Sequence, residues 1–206
     1  GPHRMQSSLP ATVKADLIRQ IRNSESAHYL KHSDTAMRWN PAEPVPAELI
    51  PHLDRCIQEA QALLEPASRE HWILSMERLG AWLERYGVIP LPKDDEARAI
   101  RLAEIGREYW EDLPSIPGDL LYVAVHRIVE NYVYSSKPKP ADLKAAVKAE
   151  WEERKARLVR LTTAKTLYRY RDEQKAISEP RTKRTDAEKE LVSKLAREAI
   201  RKLDAA

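Results

Sequence analysis

From Ala47 to Leu64 the apolar residues Leu49, Ile50, Leu53, Cys56, Ile57, Ala60, Leu63 and Leu64 return at steps of three and four, which places them on one face of a helix. Pro51 fits that helix within its first turn. A second helix is predicted after Ser68, a suitable N-cap, with Trp72, Ile73, Met76, Leu79, Trp82, Leu83 and Tyr86 inward and Gly87 as its stop. Pro90 and Pro92 then make a stiff link. Asp94, Asp95 and Glu96 put negative charge at the start of a third helix, where the helix dipole favours it. Its expected inner face is Ala97, Ile100, Leu102, Ile105, Tyr109 and Trp110, before the breakers Pro114 and Pro117. The fourth segment, Asp119 to Tyr134, is the most apolar of the chain and is expected to be the central helix of a bundle.

The two ends read differently. A short helix from Ala11 to Ile21 is followed by polar chain through Pro41, Pro44 and Pro46, an arm expected to dock weakly or to be mobile. Trp39 stands out within it, as an anchor either to the bundle or to a partner. After Lys137-Pro138-Lys139-Pro140, the stretch from Ala141 to about Ala176 has neither Gly nor Pro, so one helix about 54 Å long is predicted, with its far half projecting. Pro180 and Arg181-Thr182-Lys183-Arg184 interrupt it. Thr185 with Glu188 then signals a capped last helix with a stripe of Leu191, Val192, Leu195, Ala196, Ala199, Ile200 and Leu203. Such a stripe either folds back on the bundle or inserts into a partner's groove.

Composition agrees with helices: five glycines, no phenylalanine, and abundant Ala, Leu, Glu, Arg and Lys. The expectation is therefore an all-α helical bundle with a long projecting basic helix and a C-terminal amphipathic helix. Its expected parts are residues 1–46 as a tag remnant and partly ordered arm, 47–136 as the bundle, 137–179 as the basic helix, and 180–206 as a basic hinge with the terminal helix. Gly1-Pro2-His3-Arg4 read as the remnant of a cleaved purification tag, which puts the native start at Met5. The lone cysteine, Cys56, sits in an apolar stripe and reads as a core thiol, which excludes an intrachain disulfide and a cysteine-based zinc site. No stretch is apolar enough to span a bilayer, and a cytoplasmic location is expected.

Charge changes the picture more than its total of +3 suggests. Residues 137–184 hold fifteen Lys/Arg and seven Asp/Glu, residues 185–206 hold five of each, and residues 1–136 are left with −5. The basic residues Lys155, Arg157, Arg160, Lys165, Arg169, Arg171 and Lys175, with Tyr168 and Tyr170 interleaved, continue into Arg181, Lys183 and Arg184. Such a surface suits phosphate contacts and stacking on unpaired bases, while the plainer reading is a solvated helix balanced by Glu150, Glu152, Glu153, Asp172 and Glu173. On this basis Arg157, Arg160, Lys165, Arg169, Arg171, Lys175, Arg181, Lys183 and Arg184 are candidate nucleic-acid contacts. Leu191, Val192, Leu195, Ala199 and Leu203 are candidate partner contacts.

Signals for catalysis are missing from the sequence. His28 and His32 have a metal-ligand spacing without an assignable third ligand, and His52 and His71 read as surface residues. His126, beside Arg127 and Glu130, reads as a hydrogen-bonded helix residue. Adjacent carboxylates such as Asp94-Asp95 and Glu152-Glu153 diverge on a helix, and there is no phosphate loop or nucleophile elbow. A protein that binds, with no enzymatic activity, metal or cofactor, is expected.

One region resembles a known family. Leu113-Pro114, the run Asp119-Leu120-Leu121-Tyr122-Val123-Ala124-Val125-His126-Arg127-Ile128, and Lys137-Pro138-Lys139-Pro140-Ala141-Asp142-Leu143 are similar to a pattern in small phage and prophage replication proteins of the replicative-helicase loader type, across residues 69–160. The resemblance implies a helical bundle and a C-terminal region that grips a hexameric replicative helicase, holding it inactive until an initiator at the origin releases it; the missing nucleotide-binding loop makes any such loader ATP-independent. The expected function is a replication accessory protein of phage or mobile-element type that binds a helicase and DNA, the single-stranded form included. The alternatives are a nucleic-acid-binding regulator without a helicase partner, and an interaction protein that inhibits a host machine.

Overall fold

A computed structural model describes residues 9–26, 31–133, 136–178 and 185–205. Among these, the fold is all-α: α1 Ala11–Ser26, α2 Lys31–Arg38, α3 Leu53–Ala62, α4 Arg69–Arg85, α5 Asp95–Asp112, α6 Gly118–Asn131, α7 Pro140–Ala146, α8 Lys148–Ile177 and α9 Asp186–Asp204. The 3₁₀ turn Ile50–His52 leads into α3 with Pro51 in its first positions. The described residues form no strand, only an isolated bridge between Pro66 and Pro117.

Local chemistry sets the helix ends. The Ser68 hydroxyl accepts the His71 N–H and the His71 ring accepts the Ser68 N–H, which closes a capping box on α4. At the other end of α4, Gly87 takes φ +64, a backbone that glycine adopts without strain, and Val88 N–H reaches back to the Leu83 carbonyl at 2.9 Å. Asp94 caps α5 through Ala97 N–H at 2.9 Å, and Thr185 caps α9 through Glu188 N–H. The single helix expected from Ala141 is broken at Val147. This residue leaves helical geometry at φ −125 and ψ 16 while its side chain is fully buried, so packing sets the break and no Gly or Pro marks it.

The chain divides into two compact units, residues 1–26 with 64–151 and residues 27–63 with 152–206. This division differs from the expected boundaries at 46, 136 and 179. The stripe of α3, read as part of the bundle, packs in the second unit together with α8.

In the first unit, α4, α5 and α6 close a core around Leu79, Leu83, Ile105, Tyr109, Leu121 and Val125. The central helix α6 contributes Leu120, Leu121, Ala124, Val125 and Ile128, as its apolar run predicts. Leu143, Val147 and Trp151 complete the same core, and Arg127 tethers the end of α7 by donating to the Ala146 carbonyl at 2.6 Å. A smaller cluster packs Leu17 and Ile21 of α1 against Leu74 of α4. The outward side of α5 departs from expectation: Ile100 is 56% exposed and Trp110 49% exposed, although both were assigned to its inner face. Tyr86 is also exposed, lying past the last full turn of α4. His71, expected on the surface, is half-buried, and a Cβ on Gly118 would come within 2.6 Å of its ring.

The second unit has its own core, built from Leu49, Leu53, Cys56 and Ile57 with Leu161, Ala164 and Leu167 of α8. Ala36, Trp39 and Val45 belong to it, so the chain from 31 to 49 is packed in place and is not a loosely docked arm. Trp39 is 5% exposed and donates from Nε1 to the Glu43 carbonyl at 3.2 Å. Val192 and Ala196 of α9 enter the same core, with Leu195 packed against it. The stripe of α9 thus folds back onto its own unit, and of the five candidate partner contacts only Leu191 is exposed, at 42%.

Candidate nucleic-acid interface

Cations of α8 fall into two sets that face different ways. Its buried stripe runs Arg154, Arg157, Leu161, Ala164, Leu167 and Arg171, at the three- and four-residue steps of one helix face. Arg154 donates to the Leu63 carbonyl at 2.7 Å, at the C-terminal end of α3, where a cation also complements the helix dipole. Arg157, with 7% of its side chain exposed, pairs with Asp34 of α2 at 2.8 Å and with Glu153 at 3.2 Å. Arg160 donates to the Trp39 carbonyl at 2.9 Å, and Arg171 to the Glu43 carbonyl at 3.1 Å, the same oxygen that accepts the Trp39 indole N–H.

Main chain between Arg38 and Leu49 is mostly outside regular helix, so its carbonyls need donors from elsewhere. The planar guanidinium fork on a long apolar stem supplies them while its methylenes pack in the core. Arg157 and Arg171, read from the sequence as nucleic-acid contacts, are therefore turned inward and hold the 31–63 segment on α8. Arg160 is half-buried and does the same. The sequence signal for this lies in the spacing, since these arginines continue the Leu161 and Ala164 stripe.

The remaining candidates point outward. Lys165 is partly exposed and pairs with Asp54 of α3 at 2.7 Å, and hydrogen bonding and charge from Lys165 hold the Asp54 carboxyl below its ordinary pKa. Arg169 and Lys175 are exposed, and Tyr168, which precedes both, is 38% exposed. Tyr170, its neighbour in the interleaved pattern, packs instead against the core of the unit. On α9, Lys194, Arg197 and Arg201 are exposed, alongside Glu190. Sequence reasoning did not assign these three, although they stand opposite the apolar stripe. Arg181, Lys183 and Arg184 lie outside the described residues.

The histidines divide in the same way. His32 and His52 stack face to face with centroids 3.8 Å apart, so both are part of the second unit's packing. His28 lies outside the described residues. His126 Nε2 is 2.9 Å from Glu130, one helical turn away. Among the described residues, no group of three or more His, Cys, Asp or Glu is arranged to hold a metal, and no helix is long and apolar enough to cross a membrane. No family model matches the chain, and neither a curated protein nor a solved structure is found similar to it.

Proposed function

We propose that the chain is a nucleic-acid-binding accessory protein, acting by contact and without nucleotide hydrolysis. The observation that carries this reading is the outward face of α8 around residues 165–175, where an exposed tyrosine, Tyr168, is followed by the exposed cations Arg169 and Lys175. The buried arginines of the same helix serve the fold and Lys165 pairs with Asp54, which leaves Arg169 and Lys175 as the exposed cations of this face. Residues 152–206 hold sixteen Lys/Arg against ten Asp/Glu, which favours a polyanion. The finer assignment, a replication accessory protein of phage or mobile-element type gripping a replicative helicase, rests on the resemblance across residues 69–160.

Titrating the full chain into a labelled single strand at two salt concentrations tests the first part. Affinity that falls steeply with salt supports it, and no binding at low salt overturns it. Capture from a nuclease-treated bacterial lysate tests the second: enrichment of a replicative helicase is expected, and its absence removes the helicase assignment.

A further inference from the structure

We infer that Tyr168 is a base-stacking residue, and hence that the α8 surface takes unpaired nucleic acid in preference to duplex. The inference rests on the nucleic-acid reading above and names its ligand class. Seen from the sequence, Tyr168 and Tyr170 are equivalent aromatic residues in a basic run. The fold separates them. Tyr170 packs against the second core, whereas Tyr168 is 38% exposed, beside the buried Leu167.

The helix itself places charge around that ring. Arg169 is adjacent to Tyr168 and Lys175 follows two turns later, while Lys165, one turn before, is engaged by Asp54. Asp172, one turn after Tyr168, and Glu173 are also exposed and repel phosphate, so phosphate contact falls to Arg169 and Lys175. In a duplex both faces of each internal base are covered by neighbours, so an aromatic side chain on a straight helix finds no face to stack on. An unpaired base has one, and stacking tolerates any base identity.

The test compares a fluorescein-labelled oligothymidylate with a blunt duplex of equal length, using the full chain and fluorescence anisotropy. Tyr168→Ala and Tyr168→Leu are expected to weaken single-strand binding by about tenfold, while Tyr168→Phe retains it. The slope of affinity against salt should stay the same in all three, because no phosphate contact is removed. The Leu variant keeps the apolar bulk, so loss in both Ala and Leu with retention in Phe separates stacking from a folding defect. Unchanged affinity in Tyr168→Leu, or equal loss from the duplex, overturns the inference. If Arg169→Glu with Lys175→Glu reduces binding while Tyr168→Leu does not, the nucleic-acid reading stands and the stacking assignment fails. If neither change matters, both fail.

Discussion

Arg160 donates from Nη1 to the main-chain oxygen of Trp39 at 2.9 Å, joining positions 121 residues apart. The Trp39 ring is buried in the same core, so one residue is held through its backbone by an arginine and through its side chain by apolar contact. Arg160→Ala is expected to cost about 1–3 kcal/mol, the range for removing a charged donor from a carbonyl acceptor. Trp39→Ala is expected to cost about 3–5 kcal/mol by leaving a cavity. Urea denaturation of both variants checks the order, and an Arg160→Ala variant as stable as the parent contradicts the clasp.

The terminal helix gives the second prediction. Val192 is 4% exposed and Ala196 6% exposed, both within the second unit's core, so α9 is part of that fold. Removing residues 185–206 strips Val192 and Ala196 from that cluster, and is expected to lower the melting temperature. Ala196→Asp should act in the same direction, because a carboxylate there loses hydration without a partner. A truncated chain that melts with the parent would return α9 to the role of a partner-binding tail.

A pH dependence follows from His71. Burial is the largest cause holding its pKa below the ordinary 6.5, against the opposing charges of Asp119, Glu70 and Glu65. Its ring also accepts the Ser68 N–H in the α4 cap, which needs an unprotonated Nδ1. The folded state therefore takes up a proton less readily than the unfolded chain. This contribution is complete above about pH 6.5 and is lost as pH falls from there toward the lowered folded value. Urea midpoints from about pH 8 down to about pH 5 should fall for the parent and fall less for His71→Gln. Identical acid profiles would contradict it.

Gly118 sits beneath the same ring. An added Cβ would lie 2.6 Å from the imidazole, which is itself fixed by the cap. Gly118→Ala is expected to destabilise by about 1–3 kcal/mol despite alanine's better helix propensity. A neutral or stabilising effect in thermal unfolding would show that the ring has room to move.

Much of this architecture was legible where its causes are local. Ser68, Asp94 and Thr185 cap the helices that follow them, and Pro140 opens α7, because capping is decided within a few residues. Periodicity found the stripe of α6 for the same reason. Faces were misread where the partner is distant. Ile100 and Trp110 look inward by residue type, but only Ile105 and Tyr109 of α5 meet the core of the first unit closely enough to be buried. Arg157 and Arg171 look outward by charge, because their acceptors, Asp34 in α2 and the Glu43 carbonyl, lie 123 and 128 residues away in the chain. The chain from 31 to 49 read as loose because its prolines mark broken helix. It is fixed because that break leaves carbonyls for the arginines to satisfy.

The division of basic residues on α8 is the central claim, and paired substitutions measure it most directly. Arg169→Glu with Lys175→Glu, set beside Arg154→Ala with Arg160→Ala, should be examined for single-strand affinity at two salt concentrations and for melting temperature. The outward pair is expected to weaken binding, to lower the salt slope by about 1.4 on the scale of about 0.7 per lost phosphate contact, and to leave melting unchanged. The inward pair is expected to lower the melting temperature while leaving the affinity of the folded protein close to the parent's. An unchanged isotherm for the outward pair at both salt concentrations would contradict the account.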